Sequence, residues 1–334
     1  MYLDPWIAEK INMDKGASLT RVALDQYMEE KRMELLAFLM EKSPFYQTRL
    51  ADYTPFALED WDKIPFTYAA DIVNEGAKMI CVHPGEISRI VTQTTSGTTG
   101  TPKRIYFTPE DQELTIDYFH YGMKIMVSPG DTVLILLPHK SPGSLGFLLQ
   151  EGLSRLGAQG VFTDTLEQEK CDSLKYTEIT AIVGPPTLIS NLAETKPEMH
   201  PHSVLMTADF VPEEARKIVK TQWGSKVFEH YGTTEMGLGC AMSCRAVNEN
   251  PPVGYHIREN DLYIEIIDPA SGRVLPKGEW GEIAMTTLTR KGMPLLRYRT
   301  GDTGRLLNEP CYCGSSLNRL DRVPKRMEGK KLNL

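Results

Sequence analysis

The sequence predicts an α/β protein, with a helix-covered, largely parallel sheet followed by an antiparallel subdomain or barrel. Three observations predict it. Short β-type runs alternate with helical stretches from about residue 89 to residue 230, the order that winds a parallel sheet and covers it with helices. After Gly254 further runs follow one another with turn signals and no long helix between them, an antiparallel pattern. The 334 residues, 41% of them hydrophobic, are enough to bury a substantial core.

In order along the chain, residues 20–50 carry Leu24, Met28, Met33, Leu36 and Leu39 at helical spacing, giving one or two helices. The β-type runs are 90–94, 104–108, 132–137, 160–163, 181–183, 203–207 and 226–230. Helices are expected between them at 109–127, 144–157, 186–195 and 212–223. Residues 261–267 (DLYIEII), 281–288 and 295–299 read as the later strands. This divides the chain into an α/β core over residues 1–253 and an antiparallel subdomain over 254–334.

Charge and composition exclude several functions. The net charge is −7 and no dense Lys/Arg stripe stands out, so nucleic acid is not expected as a partner. The longest apolar runs, such as residues 132–138, fall far short of the roughly 20 residues that span a bilayer. The opening MYLDPWIAEK lacks a basic-then-apolar leader, and a cytoplasmic location is expected.

One segment carries chemistry on its own: Thr95-Ser96-Gly97-Thr98-Thr99-Gly100-Thr101-Pro102-Lys103, between two β-type runs. Gly97 and Gly100 let the backbone turn tightly and approach an anion, and successive N–H groups in such a turn form an anion nest. Hydroxyls from Thr95, Ser96, Thr98, Thr99 and Thr101 can donate to phosphate oxygens, and Lys103 adds a positive charge. The spacing is not that of the P-loop. A plain Gly/Thr hairpin is the alternative.

The ordered string resembles the signature loop of the adenylate-forming superfamily, which includes acyl- and aryl-coenzyme A ligases, luciferases and peptide-synthetase adenylation domains. Two companions follow in that family's order. Glu229-His230-Tyr231-Gly232-Thr233-Thr234-Glu235 resembles the YGxTE motif, which implies Tyr231 against adenine, Thr234 at the α-phosphate and Glu235 holding Mg²⁺. Arg297-Tyr298-Arg299-Thr300-Gly301-Asp302 resembles YRTGD, which implies that Asp302 takes the ribose hydroxyls. Thr207-Ala208-Asp209 stands more loosely at the strand end that contacts adenine. The wording of these motifs, with HIREND-LYIEIIDP and Cys311-Tyr312-Cys313-Gly314, is most similar to the phenylacetate–coenzyme A ligase-like group over residues 20–328.

The resemblance implies ATP-dependent activation of a small carboxylic acid, aryl or short acyl, to an acyl-adenylate. Coenzyme A or a carrier protein is the expected acyl acceptor, and a homodimer is compatible with it. Glu235, Thr234 and Lys103 are the expected catalytic residues. The acid pocket is expected around residues 137–147 and in the region just before Tyr231; Gly143 and Gly146 leave room there, and His139 stands as a carboxylate contact or as a solvent-facing loop residue.

Six cysteines in a chain this long form no disulfide framework. Cys311-x-Cys313-Gly314 looks like half a zinc knuckle; with Cys244 and His256 it makes a Cys₃His set for a structural zinc, an arrangement that members of the resembled group have. Cys240 competes as a ligand, and ordinary buried cysteines are the alternative.

The family's hinge, written GRxDD, corresponds to Lys325-Arg326-Met327-Glu328-Gly329, where Arg326 matches and Glu328 and Gly329 replace the acidic pair. The mobile C-terminal domain beyond the hinge, with its adenylation lysine and pantetheine tunnel, is expected to be absent, either because the enzyme is naturally short and passes its acyl-adenylate to a partner or because the sequence is a fragment of a longer ligase. A catalytically silent nucleotide-binding or zinc-stabilised scaffold protein is the alternative function.

Overall fold

A computed structural model describes residues 3–53, 56–93, 102–163, 178–248 and 254–322. Helices α1 (Asp4–Lys10), α2 (Arg21–Lys42), α3 (Pro44–Arg49) and α4 (Ala69–Glu75) precede a hairpin of β1 (Arg89–Gln93) and β2 (Lys103–Phe107). Next come α5 (Pro109–Met123), β3 (Thr132–Ile135), α6 (Leu145–Leu156), β4 (Gln159–Phe162), β5 (Ala181–Gly184), α7 (Pro186–Thr195), β6 (Ser203–Met206), α8 (Glu213–Trp223) and β7 (Lys226–Tyr231). The later strands are β8 (Ala241–Met242), β9 (Tyr255–Ile257), β10 (Leu262–Ile267), β11 (Gly281–Thr287), β12 (Tyr298–Gly304) and β13 (Arg319–Leu320).

Among the described residues the strands form three sheets. The largest runs β13-β9-β8-β7-β6-β5-β3-β4. Its β4-β3-β5-β6-β7 half is parallel and its β7-β8-β9-β13 half antiparallel. The side-chain alternation of a strand explains why both faces of the parallel half are covered. Val133, Ile135, Ala181, Val183, Leu205 and Phe228 pack with Phe119, Met123, Leu149 and Leu153 of α5 and α6. Their neighbours Leu134, Ile182, Val204, Met206 and Val227 pack with Ile189, Leu192, Ala215, Val219 and Trp223 of α7 and α8. Each fully buried aliphatic side chain contributes on the order of 1.5–3 kcal/mol.

The subdomain after Gly254 is divided between two sheets. β9 and β13 extend the large one, while β10-β11-β12 form a separate antiparallel sheet rather than a barrel. Leu35, Leu36 and Leu39 of α2 join Ile264, Ile283 and Met285 of that smaller sheet in one cluster. The strand expected at 295–299 begins instead at Tyr298. The cause is Arg297, fully buried and at φ +46°, whose guanidinium donates to both Glu265 oxygens at 3.2 and 3.0 Å and to the Asp62 and Ile64 carbonyls at 2.7 Å. That left-handed turn ends the loop, and pairing with β11 starts one residue later.

No described helix is long and apolar enough to cross a membrane.

Leu153, fully buried between α6 and the sheet, should lower unfolding free energy by about 2–5 kcal/mol when replaced by Ala. Val22→Ala, at a side chain 68% exposed, should change it by less than about 0.5 kcal/mol. Urea titrations of both variants check the contrast.

Candidate active site

Parallel α/β sheets bind ligands beyond the carboxyl ends of their strands. Thr207 and Ala208 (φ +67°) follow β6 there, and Tyr231 ends β7. Thr207 Oγ1 lies 2.8 Å from His230 Nδ1, tying the two strand ends together. At Gly232 the chain turns against a neighbouring strand of loop: a Cβ would stand 2.9 Å from both Gly239 Cα and the Leu238 carbonyl oxygen. Only glycine permits that approach.

Gln93 and Lys103 are paired across the β1–β2 hairpin. The phosphate-loop residues Thr95, Ser96, Gly97, Thr98, Thr99 and Gly100 lie outside the described residues, but both of these root residues are placed. Gln93 Nε2 donates to Thr234 Oγ1 at 2.6 Å. Lys103 Nζ donates to Glu235 Oε1, which also accepts from Tyr298 Oη at 3.2 Å. The two loop ends therefore grip two consecutive residues of the second motif. Lys103 is 5% exposed and Glu235 2%. Burial alone would raise the Glu235 carboxyl, but the Lys103 charge and hydrogen bond outweigh it and hold the group below its ordinary 4.5.

Asp302 reaches the same site from β12. Gly301 (φ +76°) and a register shift in β11 between Glu282 and Ala284 bend the strand just before it, a device that re-aims side chains. Tyr231 Oη then donates to Asp302 Oδ2 at 2.8 Å. Burial, then the Asp302 charge, keeps the Tyr231 phenol protonated well above its ordinary range.

Sequence reasoning missed two arginines behind Glu235. Arg290 Nη1 donates to the Glu235 carbonyl at 2.6 Å, and Arg258 Nη2 to the Met236 carbonyl at 3.0 Å. Both are buried, with Asp111 and Asp261 nearby as counter-charges. Desolvation, opposed by Asp111, holds the Arg290 guanidinium down at about 10.

Several expected site residues have other partners in the fold. Both Glu229 oxygens are taken in a buried network: Oε1 by Arg216, Oε2 by Tyr255 at 2.5 Å and Arg322 at 3.1 Å. Asp209 is exposed and accepts from the Phe210 amide at 2.7 Å. Gly143 and Gly146 do not open space for an acid. A Cβ would meet Gln112 Oε1 at 2.3 Å from Gly143 and the Pro138 carbonyl oxygen at 2.9 Å from Gly146. His139 stacks on Phe162 at 4.3 Å. Arg326 lies outside the described residues.

The open space lies deeper. A narrow apolar cavity is walled by Tyr118, Phe119, Leu137, Leu145, Met242 and His230, among others. Leu137 and Leu145 were within the expected segment; the aromatic residues of α5 were not.

Cys244, His256, Cys311 and Cys313 converge, all four ligand atoms lying within 4.8 Å of one another. Cys244 Sγ is 3.6 Å from Cys311 Sγ, and Cys313 Sγ is 3.4 Å from His256 Nε2. A tetrahedral ion with Zn–S bonds of about 2.3 Å separates its sulfurs by about 3.8 Å, so the donor set fits zinc. Cys240 is buried apart from this group.

Fold and site together define an adenylate-forming enzyme. Residues 41–288 match the AMP-binding enzyme family, and the chain belongs to it. A phenylacetate-coenzyme A ligase of Thermus thermophilus is 29% identical over 330 residues, covering 93% of this chain and 72% of that one. A phenylacetate-coenzyme A ligase of Pseudomonas putida is 29% identical over 331 residues, covering 92% and 71%. Among solved structures, an open conformation of 2-hydroxyisobutyryl-CoA ligase in complex with 2-HIB-AMP and CoA superposes with a TM-score of 0.79. It covers 92% of this chain and 71% of that one at 20% identity, a likeness of fold.

Removing one member of the Lys103–Glu235 pair leaves a buried charge uncompensated. Lys103→Met should therefore destabilise the protein by about 3–5 kcal/mol, and adding Glu235→Gln should recover most of that loss. The folded-state pKa of Glu235 is lowered, so the pair's contribution is complete above the ordinary carboxylate value and fades as pH falls below it. The double variant should lose this part of the acid dependence; denaturant titrations between pH 7 and pH 3 read it.

Proposed function

We propose that this chain uses ATP to convert a small carboxylic acid to its acyl-adenylate, and that the acyl group then passes to coenzyme A. The observation that carries the reading is the docking of the loop root, Gln93 and Lys103, onto Thr234 and Glu235. The two residues so docked flank the glycine–threonine sequence, and Tyr231, three residues before Thr234, meets Asp302.

In the first step a carboxylate oxygen of the acid attacks the α-phosphorus. The bond from that phosphorus to the bridging oxygen of pyrophosphate breaks, and pyrophosphate leaves. The acid is already ionised at pH 7, so no proton has to move. Positioning and charge stabilisation therefore supply the catalysis. Thr95, Ser96, Gly97, Thr98, Thr99 and Gly100 cradle the β- and γ-phosphates with Lys103. Thr234 holds the α-phosphate, Tyr231 lies against adenine, and Asp302 accepts from the ribose hydroxyls. Glu235, a buried ionised oxygen donor, suits Mg²⁺, which supplies charge neutralisation on the phosphates. In the second step the thiol sulfur attacks the acyl carbonyl carbon, AMP leaves, and the thiol proton goes to solvent.

The narrow apolar cavity is the place for the acyl group, which favours an aryl or short acyl acid over a long chain. The names of the relatives point the same way. Cys244, His256, Cys311 and Cys313 hold a structural zinc in this reading, stapling the segment after β8 to the loop before β13.

ATP–pyrophosphate exchange over a panel of aryl and short acyl acids tests the activity; no exchange with any of them, together with no ATP binding by calorimetry, sinks it. Asp302→Ala should raise the KM for ATP roughly tenfold or more, since hydrogen bonds to a charged group are worth about 1.5–3 kcal/mol. Metal analysis should find about one zinc per chain, and Cys313→Ser should lower it. Unchanged zinc removes Cys313 from the site.

A further inference from the structure

Two residues that line the acyl cavity, His230 and Tyr118, each have a buried polar atom, Nε2 and Oη, that no hydrogen bond in the fold satisfies. His230 precedes Tyr231 at the end of β7, and its Nδ1 is taken by Thr207 Oγ1 at 2.8 Å. Its Nε2 is shut off from solvent and has no hydrogen-bond partner. The atom lies beside the Tyr118 ring and Gly239: a Cβ on Gly239 would stand 3.3 Å from Nε2 and 2.6 Å from the ring. The rest of the lining is Phe119, Met123, Leu149, Val183 and similar apolar side chains.

Buried polar groups are almost always hydrogen-bonded, and an exception at a binding cavity calls for a ligand. The imidazole is neutral: burial, then the nearby Arg258, holds it down at about 3. A charged substituent would find no counter-charge in this lining and would be expelled by desolvation. A hydroxyl fits either tautomer. If Thr207 donates to Nδ1, then Nε2 carries the proton and the hydroxyl accepts; in the other tautomer the hydroxyl donates. A carbonyl or ether serves only the first.

Resting on the reading that this cavity takes the acyl group, we propose that His230 Nε2 sets acid specificity by hydrogen-bonding a hydroxyl on the acyl part of the substrate. The preferred acid is therefore a compact hydroxy acid, hydroxylated on its ring or short chain and otherwise uncharged. Sites built to bond a substrate hydroxyl reject the analogue that lacks it far more strongly than apolar pockets reject a change of size.

The test is ATP–pyrophosphate exchange with matched pairs: phenylacetate against mandelate and the 2-, 3- and 4-hydroxyphenylacetates, and propionate against lactate. At least one hydroxylated acid should exceed its parent by about tenfold or more in kcat/KM. His230→Leu should bring that ratio to within about twofold, and His230→Asn, which keeps a hydrogen-bonding group, should give an intermediate ratio. Thermal melting with and without ATP establishes that each variant is folded. If every parent acid is exchanged as well as its hydroxylated partners, or if the ratio survives His230→Leu in folded protein, the proposal is overturned while acid activation stands. Absence of exchange with any acid overturns both.

Discussion

The site depends on the contact between Lys103 and Glu235. It joins a hairpin root to a loop 132 residues later in the chain, and both groups are buried. Desolvating two opposite charges is nearly offset by their attraction only when the geometry is good and the spare hydrogen-bonding capacity is used. Here Tyr298 Oη supplies a further donor to the same carboxylate. The pair is thus poor support for stability in itself, but it fixes register. With Lys103 in place, Gln93 is directly opposite it in the hairpin and meets Thr234. The paired charges leave this buried contact neutral.

Around that contact the backbone is held rather than left to fluctuate. Arg290 and Arg258 donate to consecutive carbonyls at Glu235 and Met236, and Asp111 both caps α5 and accepts from the Lys291 and Gly292 amides at 2.7 and 2.9 Å. One carboxylate therefore connects the helix after the hairpin to the turn that carries Arg290. Donors and charges fixed before the substrate arrives are the arrangement that electrostatic catalysis requires. The Tyr231–Asp302 hydrogen bond likewise joins the large sheet to the small one.

Much of this was legible in the sequence because it is local. The alternation of β3 through β7 with helices, the hydrophobic spacing of α2, and the three ordered motifs all lie in short windows. What was not legible arises from pairings across the chain. Gln93 is an ordinary strand residue until the hairpin register places it at Thr234. Tyr118 and Phe119 lie in the helix expected at 109–127, and only the packing of α5 over the end of β7 makes them cavity walls. Gly143 and Gly146 read as room for a substrate, whereas they accommodate Gln112 and the Pro138 carbonyl. Glu229 sits inside the second motif, yet Arg216 and Arg322 approach from α8 and from beyond β13 to claim it. In each case the residue type was visible and its partner was not.

Arg297 makes the same point about backbone. The motif around Tyr298 reads as a continuous strand, and left-handed geometry at an arginine is disfavoured. Five hydrogen bonds over-determine it: the guanidinium fills the space between Glu265 and the Asp62 and Ile64 carbonyls, and its own amide donates to Thr286 Oγ1 at 2.9 Å. Local strain held by surrounding contacts is a feature of functional segments. Here it sets where β12 begins, and so where Tyr298 reaches Glu235 and Asp302 reaches Tyr231. The carboxylate of the third motif is in register with the second because an arginine five residues earlier is locked in a conformation its own sequence disfavours.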